Sequence, residues 1–388
     1  MILEDYFILF CYLLILYPFI IYPLILELLV RIYKNQLFQS SISDISTDQL
    51  PDISVLIAAY NEVDTLEETI ETIYKQQYPK MQVHVGSDGS NDGTVELLYG
   101  LQKKYPSLFV YDLSRRGKNR INEYLIAHSQ SEIIVHIDAD CRIVPNALHT
   151  MCARFIDPEI GAVLGNSIEF NGHVYEHETL EKEQSAYRSL EYFTRLRESQ
   201  LASTVTSLGH FYALRRRYRK PLPNDSVCDD YTPLLSILAD KKRVVVETKA
   251  SVYEVRKSIE GMEYKQAQRF AACGIASLLY YKRLLLPTYG LISFFLWSRK
   301  MLRWCLPFFS ILVLIVTSIS VVKSSTIGLY SAILWLIVCI SALAWNIGFP
   351  FKPFHSAYIF IRLHISLIMA WLHTIHKKQS AVWERPTA

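Results

Sequence analysis

Long apolar runs sit at both ends of the chain, and a block with alternating strand-like and helix-like patterns lies between them. Tyr6 to Leu26 is a run of 21 residues without a charge, and apolar residues continue to Val30. About 20 apolar residues cross a bilayer as a helix, so residues 1–34 are expected to hold a transmembrane helix. Trp304–Val322 and Ile327–Trp345 are likewise free of charge. A third stretch, Phe354–His373, contains Arg362 and His364 and reads as a span, a hairpin or an interfacial helix. Together they define an expected C-terminal transmembrane region over 304–376, followed by a tail at 377–388. The preceding stretch 278–300, "LLYYKRLLLPTYGLISFFLWSRK", is apolar with basic and aromatic punctuation. That composition suits a helix lying in the membrane surface. It falls within a connecting segment expected over 256–303.

Between residue 51 and about residue 255 the pattern is that of one globular domain. "ISVLIAAY" is a β-rich run ending at Asn61-Glu62, and "TLEETIETIYKQQY" places Leu66, Ile70 and Ile73 on one helix face. "MQVHVGSDGS" repeats the strand, "DGTVELLYGLQKKY" the helix, "LFVYDLS" the strand, "KNRINEYLIAHS" the helix and "EIIVHIDAD" the strand. Strand alternating with helix predicts an α/β fold with a mostly parallel sheet covered on both faces. Ligands of such sheets bind at the carboxyl ends of the strands. Asn61-Glu62, Ser87-Asp88-Gly89, Arg115 to Lys118 and Asp138 to Asp140 all fall at such ends. "LEKEQSAYRSLEYFTRLRESQ" is an amphipathic helix candidate, with Leu180, Tyr187, Leu190 and Phe193 on one face.

Composition fits this layout. The hydrophobic fraction is 51%, with the excess at the two ends. Glu4 and Asp5 stand where a cleaved signal peptide would carry Lys or Arg. Arg31 and Lys34 follow the first span, so the positive-inside rule puts the middle domain in the cytosol. The expected location is the inner (plasma) membrane, multi-pass, in contact with membrane lipid. Net charge is only +3, and no nucleic-acid partner is expected. The basic cluster at 215–220 reads as solvated surface or as a face for phosphates or anionic lipid. Seven scattered cysteines without a CxxC pair suggest neither a zinc ribbon nor a disulfide framework.

"IIVHIDADC" raises a chemical question, because a strand ends on two carboxylates, Asp138 and Asp140, two residues apart. Like charges this close repel. A hard divalent cation resolves the conflict: Mg²⁺ is typically held by one or two carboxylates together with substrate phosphates. The alternative is an acidic turn. "GSDGSNDGT" lacks the twelve-residue frame and closing Glu of a calcium loop and reads otherwise as a simple turn.

"VLIAAYNE", "SDGSNDGT", "RRGKNRIN", "IDAD", "CDDYTPL" and "QAQRF" occur in the order seen in family 2 glycosyltransferases. From about Ser54 to Phe270 the chain resembles the membrane-embedded group that includes cellulose, chitin, hyaluronan and poly-N-acetylglucosamine synthases. The tail "KKQSAVWERPT" is also similar to that of bacterial members. The resemblance implies a GT-A fold, a UDP-sugar donor and Mg²⁺ or Mn²⁺. It implies that Ala58, Tyr60, Asn61 and Glu62 frame the nucleotide pocket, that Asp88 contacts the uracil and that Lys118 lies beside it. Asp138 would lie near the donor ribose and sugar, and Asp140, with Asp138, would serve the metal. Asp230, the second acid of Asp229-Asp230, matches the general base. Gln266 and Arg269 match a QxxRW motif near the diphosphate and acceptor. Gly209 and His210, in "SLGHFYALRRR", and Phe270 match the acceptor side.

Three departures stand out. Ser87 replaces the first acid of the usual paired-acid turn. Asn122 comes one position early for the family's Asn and receives no role. Phe270 replaces Trp, keeping a ring face but losing an N–H donor. Taken alone, Asp230 could be no more than a helix N-cap.

The expected activity is therefore inverting transfer from a UDP-sugar to a growing β-linked polysaccharide, with export, an oligomer or an export partner as further possibilities. The first alternative is single addition to a lipid-linked acceptor, which Phe270 favours. The second is a nonenzymatic nucleotide-sugar-binding membrane protein.

Overall fold

The computed structural model describes residues 3–33, 47–169, 186–221, 228–254 and 263–376. Lys34, the start of the 180–200 helix candidate and the 377–388 tail lie outside them. Two compact units emerge: one holds residues 1–28, 259–279 and 287–378, and the other 29–258, 280–286 and 379–388.

In the first unit, α1 (Leu3–Leu16) and α2 (Ile21–Ile32) meet at 61° instead of forming one straight helix. Pro18 lies in the break; it has no N–H to continue a helix, and its ring clashes with the preceding turn.

The second unit follows the alternation expected from the sequence. β1 (Ile53–Ala59) is followed by α3 (Leu66–Tyr74), β2 (Met81–Asp88), α4 (Thr94–Lys104), β3 (Leu108–Leu113), α5 (Lys118–His128) and β4 (Ile133–Ile137). Then come β5 (Cys141–Ile143), α6 (Ala147–Ala153), β6 (Ile160–Glu169), α7 (Ala186–Leu201), β7 (Phe211–Arg215), α8 (Tyr231–Ala239) and β8 (Arg243–Glu254). Among the described residues the strands form one eight-stranded sheet of order β3-β2-β1-β4-β7-β6-β8-β5. β1 to β4 are parallel, β7 runs antiparallel to both β4 and β6, and β5 runs antiparallel to β8.

Alternation along the strands builds the core. Ile53, Val55 and Ile57 of β1 and Ile133, Val135 and Ile137 of β4 are buried with Leu66, Ile70 and Ile73 of α3. Each such side chain contributes about 1.5–3 kcal/mol when fully buried. On the opposite face α5 lies against β2 so closely that a Cβ on Gly86 would sit 2.5 Å from Ile121 Cγ2. Register aligns the strand ends: Ala59 pairs with Ser87 and Asp88 with Leu113. Parallel strands in this register deliver their terminal polar residues to one edge.

The remaining helices belong to the first unit, apart from Tyr280 at the end of α9 and the 3₁₀ turn Lys282–Leu285, which fall in the second. α9 (Glu263–Tyr280) carries the QxxRF motif. The stretch 278–300 is not a single helix. It breaks into two 3₁₀ turns, α10 (Leu291–Phe295) and a π-helical segment Leu296–Met301. Pro287 starts the second of these turns. α11 (Leu302–Trp304) then meets α12 (Leu306–Val322) at a bend of 59° measured from Leu291–Trp304. α13 (Thr326–Asn346) and α14 (Lys352–Ile375) are each long and apolar enough to cross a membrane. If each bent pair also counts as one span, there are up to four. Because α14 is one continuous helix, the third apolar stretch is not a hairpin. Interhelical hydrogen bonds join these helices: Tyr12 Oη to Ser331 Oγ at 2.8 Å, Thr317 Oγ1 to Ser331 Oγ at 2.7 Å and Ser310 Oγ to His364 Nε2 at 3.0 Å. His364 Nδ1 lies 2.8 Å from Phe360 O, so both of its ring nitrogens have protein partners. Such contacts act as polar glue between apolar helices.

Candidate active site

The loops after β1 and β2 are laced together. Asn61 N donates to Ser90 Oγ at 3.1 Å, Asn91 N to Asn61 Oδ1 at 2.9 Å and Glu62 N to Thr94 Oγ1 at 2.9 Å. Asp92 accepts from Val63 N at 3.2 Å and Thr94 N at 3.0 Å, so the Asn91-Asp92-Gly93 turn braces these loops. Ala58, Tyr60, Asn61 and Glu62 are half-buried along this rim.

Asp88, only 2% exposed, is surrounded by the loop before α5. Its carboxylate pairs with Arg115 and accepts from Arg116 N at 2.6 Å and Gly117 N at 3.0 Å. The Arg115 guanidinium lies 3.5 Å from the Tyr60 ring centroid, a cation–π stack. Asp88 therefore fixes Arg115 over Tyr60; the sequence places Arg115 at a strand end but gives it no role.

Lys118 opens α5, where a cation opposes the helix dipole. Acidic neighbours offset this. Its Nζ is 2.7 Å from Asp138 Oδ1 and 3.5 Å from Asp229 Oδ2. Burial alone would lower the Lys118 pKa, but Asp138 and Asp229 outweigh it and hold the ammonium above its ordinary value. Burial pushes Asp138 up, yet Lys118 and His210 hold its carboxyl well below the usual range.

His210 Nδ1 lies 3.1 Å from Asp138 Oδ2, and its Nε2 lies 3.4 Å from Glu254 Oε1. Burial lowers the His210 pKa, but Asp138 and Glu254 outweigh it and the net shift is upward. Glu254, at the end of β8, has no sequence motif around it and was not anticipated. His136, the residue that interrupts the apolar run of β4, stacks on its cross-strand neighbour Tyr212 at 4.6 Å and 17°. Burial pushes its pKa down to about 4, so it is neutral at physiological pH.

Asp140 differs from Asp138. Among the described residues no ion pair or hydrogen bond from another residue's side chain reaches its carboxylate. Burial and the charge of Asp138 raise its pKa. A partly buried carboxylate with no direct ion pair, opposed by Asp138 and only partly offset by the charge of His210, suits a bound cation. No group of three or more His, Cys, Asp or Glu among the described residues could cage a metal by itself. The donor set thus fits Mg²⁺ or Mn²⁺, which keep ligands for phosphate, rather than a closed structural ion.

Asp229 and Asp230 precede α8. Asp229 Oδ2 accepts from Asn122 Nδ2 at 3.1 Å, and its carbonyl accepts from Tyr212 Oη at 3.2 Å. Asp230 does cap α8, with Oδ1 accepting from Tyr231 N at 2.8 Å. Its Oδ2 approaches Gly209 so closely that a Cβ there would lie 3.2 Å away. Burial and the neighbouring Asp229 raise the Asp230 pKa.

Lys118, Asp138, His210 and Asp229 are thus linked by direct contacts, with Asp230 adjoining Asp229 and Gly209. Gln266, Arg269 and Phe270 lie on α9, in the other unit. The Arg269 guanidinium sits 5.3 Å from the Phe270 ring centroid, and Phe270 is 56% exposed. The Gln266 side chain lies outside the described residues.

This sheet, with acidic and basic groups at its strand ends, has a mixed α/β architecture. Over 97% of this chain and 100% of the other it matches the structure of a mannosyltransferase from Pyrobaculum calidifontis, solved with GDP-Man and Mn²⁺, at a TM-score of 0.71 and 20% identity. Residues 54–220 match the glycosyl transferase family 2 model. The chain is 35% identical over 124 residues to poly-beta-1,6-N-acetyl-D-glucosamine synthase of Staphylococcus aureus, covering 32% of this chain and 30% of that one. The Staphylococcus epidermidis synthase of the same name is 36% identical over 120 residues, covering 30% and 29%. The chain therefore aligns with less than a third of the length of these relatives.

Proposed function

We propose that the chain is an inverting glycosyltransferase that moves a sugar from a UDP-sugar to a growing β-linked polysaccharide at the membrane. The observation that carries this reading is Asp230. It is a half-buried carboxylate with a raised pKa, held by Tyr231 N and by the Ser207 side chain, beside the Lys118–Asp138–Asp229 cluster.

Asp230 takes the proton from an acceptor hydroxyl. The acceptor oxygen attacks the anomeric carbon as the bond to the diphosphate breaks, and UDP leaves with the electron pair. In-line attack inverts the centre, so an α-linked donor gives a β-linkage. The Tyr60–Arg115 stack offers a plate for the uracil, with Asp88 acting through Arg115 as well as by its own edge. Ala58, Asn61 and Glu62 frame the pocket, and Lys118 offsets phosphate charge. Asp140, with Asp138, would hold Mg²⁺ or Mn²⁺, which supplies charge stabilisation at the leaving diphosphate. The Mn²⁺ complex of the archaeal mannosyltransferase supports a divalent ion. Gly209 and His210 serve the acceptor side. The roles of Asp229, Gln266, Arg269 and Phe270 rest on the resemblance, and the staphylococcal relatives support a polysaccharide product. Membrane attachment through the apolar helices, with the catalytic domain on the cytosolic side, belongs to the same reading, as does export.

The Trp-to-Phe change at 270 favours a second reading, single addition to a lipid-linked acceptor. Product length separates the two. Asp230→Asn tests the shared chemistry: UDP binding is expected to persist while sugar transfer is lost. Wild-type turnover in that variant would remove Asp230 as the base.

A further inference from the structure

Asp230 follows Asp229 directly, and Asp229 is held from two other elements. Asn122, 4% exposed on α5, donates from Nδ2 to Asp229 Oδ2 at 3.1 Å. Tyr212, also 4% exposed on β7, donates from Oη to the Asp229 carbonyl at 3.2 Å. Side chain and main chain of one residue are thus gripped separately. The Tyr212 ring is itself immobilised by its stack on His136. Asn122 and Lys118 lie four residues apart on α5, so one helix face presents both an amide and an ammonium to Asp229 Oδ2.

We propose that Asn122 and Tyr212 are positioning residues: by clamping Asp229 they fix the adjoining Asp230 carboxylate in the orientation that accepts the acceptor proton. Rotation of the 229–230 peptide would carry Asp230 Oδ2 away from Gly209. Lys118 does not substitute for the amide, because its closer partner is Asp138 at 2.7 Å. This inference rests on the reading of Asp230 as the base. It adds that the base is set by two residues that need not touch donor or acceptor.

The test uses the full-length protein in nanodiscs with Mn²⁺. Asn122→Ala and Tyr212→Phe are compared with wild type and with Asp230→Asn. Tyr212→Phe keeps the ring and its stack and removes only the hydroxyl. A misplacement of about 1 Å can cost about 100-fold in rate, so kcat is expected to fall about 10- to 100-fold in each variant. The donor KM and the Kd for UDP are expected to stay within about twofold of wild type, because donor contacts are intact. Thermal unfolding midpoints are recorded in parallel. Wild-type kcat in both variants, with Asp230→Asn inactive, overturns the positioning role. So does a fall in kcat that merely tracks lost UDP binding or lost folded protein. If Asn122→Ala does not fold, Tyr212→Phe decides alone. Wild-type turnover in Asp230→Asn is a separate outcome, which removes the base reading and this inference with it.

Discussion

Two acids two residues apart, Asp138 and Asp140, have opposite environments. Asp138 is neutralised by direct contacts with Lys118 and His210, while Asp140 has no direct ion pair among the described residues and its pKa is raised by burial and by Asp138. Asp140→Asn is therefore expected to abolish the dependence of donor binding on Mn²⁺, measured as UDP affinity with and without the ion, while leaving the fold intact. The pH dependence belongs to Asp230. Burial, and next the charge of Asp229, raise its pKa, and a base must be deprotonated to act. Asp229→Asn removes a charge that disfavours the ionised form. The acid limb of the kcat profile is then expected to move to lower pH, even as the lost clamp lowers the plateau. The acidic pairs were legible because each is a short local pattern at a strand or helix end. Glu254 was not, nor were the roles of Asn122 and Arg115. Asn122 acts on a partner 107 positions away, and local spacing does not reveal which side chain a distant loop will reach.

α5 shows how packing sets the chemistry. Its first residue is Lys118, its first full turn ends at Asn122, and its underside rests on Gly86 of β2. Gly86→Val would drive methyl groups into Ile121, where a Cβ alone comes within 2.5 Å. Overpacking of this kind costs about 1–3 kcal/mol. A lowered unfolding midpoint is expected, together with lost activity as Lys118 and Asn122 shift. The parallel half of the sheet was legible because β1 to β4 alternate with amphipathic helices at regular spacing. β7 was read from "SLGHFYALRRR" as an acceptor segment rather than as a strand. Its antiparallel place between β4 and β6 depends on pairing between distant segments. Among the apolar stretches, apolar length was enough to locate the helices, α14 included despite Arg362. The bend at Pro18 and the breaks after Tyr280 are local backbone effects that hydropathy does not report.

At the scale of the whole molecule, a segment that matches the glycosyl transferase family 2 model shares its chain with helices long and apolar enough to cross a membrane. The chain is expected to stay in the membrane fraction through an alkaline carbonate wash; release into the supernatant would contradict membrane spanning. The central claim is transfer from a UDP-sugar, and one measurement tests it most directly. Full-length protein in nanodiscs, with Mg²⁺ or Mn²⁺, is offered a panel of UDP-sugars while UDP release is followed and any labelled product is sized. The expected result is UDP release from one donor, lost in Asp230→Asn, with a long glycan as product. UDP binding without release from any donor, with either ion and with glycan and lipid-linked acceptors supplied, would contradict it and leave a nucleotide-sugar-binding membrane protein without turnover.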